Sequence, residues 1–144
     1  MKLPSIPTIF WLLAGVFVLI LCQFFIPAFR DIFRGSLLFL SPLTVFFVLG
    51  LLLLVLTLKS KIQGRLRKFL LITGASAAGF FLSVFLHNFF YALGTIVSHI
   101  TALRYSMEGL HIAFFCVAIF VCPIAFLAGM IGSIILPIKK GRQG

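Results

Sequence analysis

Three histidines, two acids and three cysteines carry most of what this chain offers for acid–base, metal or redox chemistry. Glu108-x-x-His111 places a carboxylate and an imidazole on one helical turn, a spacing used by metal-binding helix bundles. His87, with Asn88 and Tyr91 close by, is the other ionisable candidate. Three readings compete. His87, Glu108 and His111, assisted by His99 or Asp31, could bind zinc or another transition metal. His87 and His111 on adjacent helices could ligate a b-type haem. Alternatively, Glu108 and His111 sit where a helix begins, where the helix dipole favours an acid, and His87 hydrogen-bonds within a bundle. The third reading is preferred, because an isolated E-x-x-H is a weak motif and only Asp31 is left to add a carboxylate. No metal, no cofactor and no catalytic residue is therefore expected. His87, Tyr91, Glu108 and His111 stand as candidate binding residues.

Cys22, Cys116 and Cys122 all lie inside apolar runs and form no C-x-x-C pair. Neither a zinc knuckle nor a dithiol redox centre is signalled, and each reads as a small buried hydrophobe.

What must position these residues is a membrane architecture. Of 144 residues 62% are hydrophobic and 10% charged, whereas soluble domains carry about 25% charged residues. A formal charge of +10 would suggest nucleic acid in a soluble protein. Here the cations flank apolar runs, where anionic lipid head groups attract them, so no nucleic-acid partner is expected. Four runs are long enough to cross a bilayer, at 8–26, 37–58, 69–92 and 112–136. They predict an all-α, up-down bundle of four transmembrane helices forming one membrane domain over 1–144. The first run lacks a small-residue cleavage site after it and reads as an uncleaved anchor. Pro42 is expected in a first turn or at a kink, and 28–34 as a short amphipathic piece.

Orientation follows from the cations. Lys2, the five of the 59–68 loop, Lys139, Lys140 and Arg142 fall on one side. Arg30, Arg34 and Arg104, with both acids, fall on the other. Since Lys and Arg are retained in cytoplasmic loops, both ends are expected in the cytoplasm, with loops at 27–36 and 93–110 outside.

On the third run Thr73, Ser76, Ser83, His87 and Tyr91 share a narrow helical face, joined by Ser98 if the helix continues. The stripe reads either as a polar pathway or as hydrogen-bonding between helices, the second being preferred. On the fourth run Ala125-x-x-x-Gly129-x-x-x-Ser133 is a small-residue pattern that lets two backbones approach. Gly74 and Ala78 of the third run lie at a similar depth, which predicts tight antiparallel pairing of the third and fourth helices.

The stretches Thr73–Phe80, Leu86-His87-Asn88, Tyr91-Ala92-Leu93, Cys122–Gly129 and Gly132-Ser133-Ile134 resemble short multi-pass membrane proteins of bacteria and archaea. The resemblance covers the second half of the chain. It implies a prokaryotic cytoplasmic membrane and a core module made by the last two helices, and it carries no activity. Small multidrug exporters, by contrast, centre on a membrane-embedded glutamate, and no run here contains a carboxylate. The preferred function is a non-enzymatic accessory or assembly component, with the bilayer, its anionic head groups and a second copy or another membrane protein as partners. The alternatives are a small oligomeric channel or carrier using the polar stripe, and a metal- or haem-binding subunit.

Overall fold

The computed structural model describes residues 5–33 and 37–141, with the side chains at 30, 32, 33, 37, 38 and 137–141 left aside. Lys2, Arg34 and Arg142, used above, lie outside the described residues.

Helix α1 (Ile6–Phe25) begins at Ser5, whose hydroxyl oxygen accepts from the Thr8 backbone N–H, with Pro7 in the first turn. It stops at Ile26, which is extended because the ring of Pro27 disfavours helical backbone in the residue before it. A short α2 (Pro27–Phe33) and a 3₁₀ turn (Leu37–Leu40) lead to α3 (Ser41–Lys59), with Pro42 in its first turn. Gly64, at φ 75, turns the chain into α4 (Arg65–Ile96). That left-handed conformation suits a residue without Cβ.

The segment 93–110, expected as a loop, is mostly helix. α4 runs through Ile96, residues 97–100 make the turn, and α5 (Thr101–Cys116) starts immediately after. A π-helical turn, Val117–Val121, then joins α5 to α6 (Cys122–Gly141) without a break. In this turn the Cys122 N–H reaches the Val117 carbonyl. Pro123 supplies the cause: it has no N–H for the Ile119 carbonyl, and its ring would clash with that oxygen in a regular α-helix.

Among the described residues four helical stretches are long and apolar enough to cross a membrane: α1, α3, α4 and the continuous span Thr101–Leu136. Their lengths are unequal. α1 has 20 residues and α3 19, whereas α4 has 32. At 1.5 Å per residue these are about 30, 28 and 48 Å. Ile6 and Pro7 of α1 line one cavity with Ile62, Leu66, Ser133 and Ile134, so the starts of α1 and α4 and the last turns of α6 share one end. We call this the basic end. The excess length of α4 and α5 therefore projects at the opposite, distal end by roughly 18 Å.

The core holds the bundle together below that projection. Ile9, Leu13, Phe17 and Ile20 form the inner stripe of α1, facing Leu43, Phe46 and Leu53 of α3, Leu70 and Ala77 of α4, and Phe126 of α6. Phe17 and Phe126 lie with ring centroids 4.6 Å apart, and Phe46 sits 5.1 Å from Phe126 and 6.4 Å from Phe80. This aromatic cluster lines an apolar cavity of about 390 Å³, together with Ile20, Ser76 and Cys122. Small residues bring the backbones together: a Cβ added at Gly50 would lie 2.9 Å from the Ala78 nitrogen, and one at Gly129 2.8 Å from the Thr73 nitrogen. Gly129 thus packs against α4. Gly74, expected to face the fourth helix, packs instead on Gly50 and Leu54 of α3. Ala78 and Ser133 are buried, and Ala125 is half-buried.

Candidate functional site

The projection of α4 and α5 is where the ionisable residues converge. His87 on α4 and His111 on α5 stack with ring centroids 4.2 Å apart and planes at 24°. His87 Nδ1 lies 3.0 Å from the His111 backbone oxygen. Because a carbonyl only accepts, Nδ1 carries the proton in this contact, which leaves Nε2 of the neutral ring as an acceptor. Phe115 lies 5.3 Å from the His87 ring, and Tyr91 the same distance from that of His111. The His111 Nδ1 is buried and has no hydrogen-bond partner among the described residues.

Beyond the stacked pair opens a cavity of about 280 Å³. One wall is Phe90, Tyr91, Gly94 and Thr95 of α4, continued by Ser98 of the turn; the other is Arg104, Glu108 and His111 of α5. The periodicity explains it. Positions 91, 94, 95 and 98 on one strand of the hairpin and 104, 108 and 111 on the other each recur at helical spacing, so each set lines one face. At Gly94 the two helices pack at ordinary contact distance: a Cβ there would stand 3.4 Å from that of Met107.

Of the residues singled out from the sequence, His87, Tyr91 and His111 come together, and Tyr91, Glu108 and His111 share the cavity. His99 is exposed in the turn and lines no part of it. Arg104, Thr95 and Gly94 were missed. Arg104-x-x-x-Glu108-x-x-His111 is the signal that would have found them, and it was hidden by taking 93–110 for a loop.

The geometry limits the chemistry. Among the described residues no group of three or more His, Cys, Asp or Glu side chains is placed to hold a metal ion. Two haem ligands must aim nitrogens at one iron from opposite faces of the macrocycle, and rings stacked face to face do not present them that way. Neither histidine is hydrogen-bonded to a hydroxyl or carboxylate among the described residues. What the cavity offers is a cation, an anion and several hydroxyls in one recess, a surface suited to polar recognition.

Below the histidines the stripe residues bond within their own helix, and Ser76 also edges the apolar cavity. Thr73 and Ser76 are buried and donate to the carbonyls of Phe69 and Ile72 one turn earlier in their own helix. Ser83 of α4 and Cys122 of α6 are buried as well. No protein-family model, no curated protein and no solved structure matches the chain.

Proposed function

We propose that this chain is a multi-pass protein of a prokaryotic cytoplasmic membrane, with both ends in the cytoplasm, acting as a non-enzymatic accessory or assembly component. Its working part is the distal α4–α5 hairpin, which stands outside the bilayer and docks another membrane protein or a second copy of the chain. The carrying observation is the overhang. A hydrocarbon core of about 30 Å matches α1 and α3, and hiding the full α4 within it would require a tilt near 50°, against a usual value of about 20°. α5 has no buried residue of its own. Ile96 is 70% exposed and Tyr105 65%, and Ile100 and Leu103 are exposed beside them. Large apolar side chains grouped on a surface outside the bilayer mark an interaction site.

The cytoplasmic placement draws its support from charge. The basic loop, the start of α1 and the end of α6 share one end of the bundle, where retained cations belong. A carrier role draws less support, because Thr73 and Ser76 spend their hydrogen bonds within their own helix and the cavity beside them is lined almost wholly by apolar side chains.

The test is site-specific photo-crosslinking in cells, with the probe at Ile100 or Tyr105 and, as control, at Val55 on the outer face of α3. The proposal expects one discrete protein adduct from the hairpin positions and none from Val55. An adduct of twice the chain's mass would identify the partner as a second copy. No protein adduct at the hairpin, or the same adducts at all three positions, would overturn it.

A further inference from the structure

The basic end carries a second recess, unrelated to the histidines. A cavity of about 600 Å³ opens between the first turns of α4 and the last turns of α6. Arg65 and Lys68 stand at its mouth, and Phe69, Ile72, Gly132 and Ile135 make its walls. We propose that this groove holds one anionic glycerophospholipid, its phosphate at Arg65 and Lys68 and an acyl chain along the apolar wall. The inference needs the helices to lie in a bilayer and is independent of what the distal hairpin does.

Three observations point to this occupant. First, two cations are carried together on one turn of a helix. Of the five cations in the 59–68 stretch, Lys59 ends α3 and Lys61 lies in the connection, whereas Arg65 and Lys68 share the first turn and one face of α4. Gly64, at φ 75, sets where that turn begins, and no side chain caps it, so its free N–H groups add to the positive potential. Second, the recess is amphiphilic along its length. From Arg65 to Ile72 the wall descends about 10 Å toward the bundle centre and changes from cationic to wholly apolar. A free phosphate would leave that floor unused, whereas a lipid matches both parts. Third, the slot has a back wall: Gly132 lets the ring of Phe69 lie where a Cβ would run into it, so α4 and α6 close together behind the groove. Basic recesses between transmembrane helices on the cytoplasmic side are where anionic head groups bind.

The experiment uses the full chain in neutral detergent, with bound lipid counted by native mass spectrometry. Phosphatidylglycerol, phosphatidylcholine of the same acyl chains and inorganic phosphate are added separately. The proposal expects one retained phosphatidylglycerol, no comparable phosphatidylcholine, and no displacement by phosphate. R65A/K68A should weaken retention about 30-fold, at roughly fivefold per cation near the surface. K59A/K61A removes the same charge outside the groove and should weaken it less than about threefold. Ile135→Trp, which fills the slot from its exposed wall, should also release the lipid. Equal losses in the two double variants would mean a diffuse basic surface and overturn the proposal. Equal binding of both lipids, or displacement by phosphate, would overturn it too. Failure of the membrane reading shows separately, as a chain that alkaline carbonate washes from membranes.

Discussion

His87 ties two helices together through one ring. Its Nδ1–H donates to the His111 carbonyl while its face stacks on the His111 imidazole, so a single side chain sets both the spacing and the rotation of α5 against α4. Hydrogen bonds between transmembrane helices contribute about 0.6 kcal/mol on average and up to about 1.7. His87→Ala should therefore cost about 1 to 2 kcal/mol in detergent unfolding and loosen the hairpin to protease. His87→Phe, which keeps the stack and loses the hydrogen bond, should recover part of that. Gly129 makes a sharper case at the same scale. A Cβ there meets Thr73 Oγ1 at 2.5 Å, whereas one at Gly15 meets nothing within 4 Å. Overpacking costs about 1 to 3 kcal/mol, so Gly129→Leu should destabilise by at least that much and Gly15→Leu should be close to neutral in the same unfolding assay. The small-residue pattern of α6 was legible in the sequence. That Gly74 serves α3 was not, because α4 carries small residues on several faces and spacing alone does not choose between neighbours.

At the level of elements the π turn decides what α5 presents. An extra residue in a helix shifts everything beyond it by about 100°, and Val117–Val121 places that shift between the His111 face and the Gly129 face. Both faces then meet α4, one at His87 and the other at Thr73. Deleting Phe120, which is exposed, together with Pro123→Ala to remove the ring clash, should convert the turn to α-helix and leave both contacts in place. A disulfide between cysteines at 87 and 111 should still form. The same deletion at the exposed Val55 of α3, where no such turn exists, should separate Gly50 from Thr57 in register and destabilise the protein by several kcal/mol. Loss of the 87–111 disulfide on deleting Phe120 would show that the turn does not carry the register. Little in the sequence announces this turn. Residues 117–121 are apolar throughout, so a one-residue insertion leaves no mark in hydropathy, and Pro123 is the lone sign. The distal hairpin was hidden for the opposite reason. Ser98, His99, Arg104, Ser106 and Glu108 lower the hydropathy of 93–110 below that of the runs on either side, although Arg104, Glu108 and His111 keep helical spacing.

The whole molecule is a bundle with two unlike ends. Helices α1 and α3 match a bilayer core in length, while α4 and α5 outreach it on the side away from the basic loop. Four apolar runs and one cluster of cations made that general plan readable from composition. The convergence of the two histidines was not readable, since it depends on how far α4 continues and on the rotation the π turn imposes. The central claim is that the hairpin stands outside the membrane while the basic end stays inside. With Cys22, Cys116 and Cys122 replaced by Ala, single cysteines at Ser98 and at Ser60 can be labelled in intact cells with a membrane-impermeant maleimide. The account predicts rapid labelling at Ser98 and labelling at Ser60 only after the cells are opened. Labelling at Ser60 in intact cells, or protection of Ser98 until detergent is added, would contradict it.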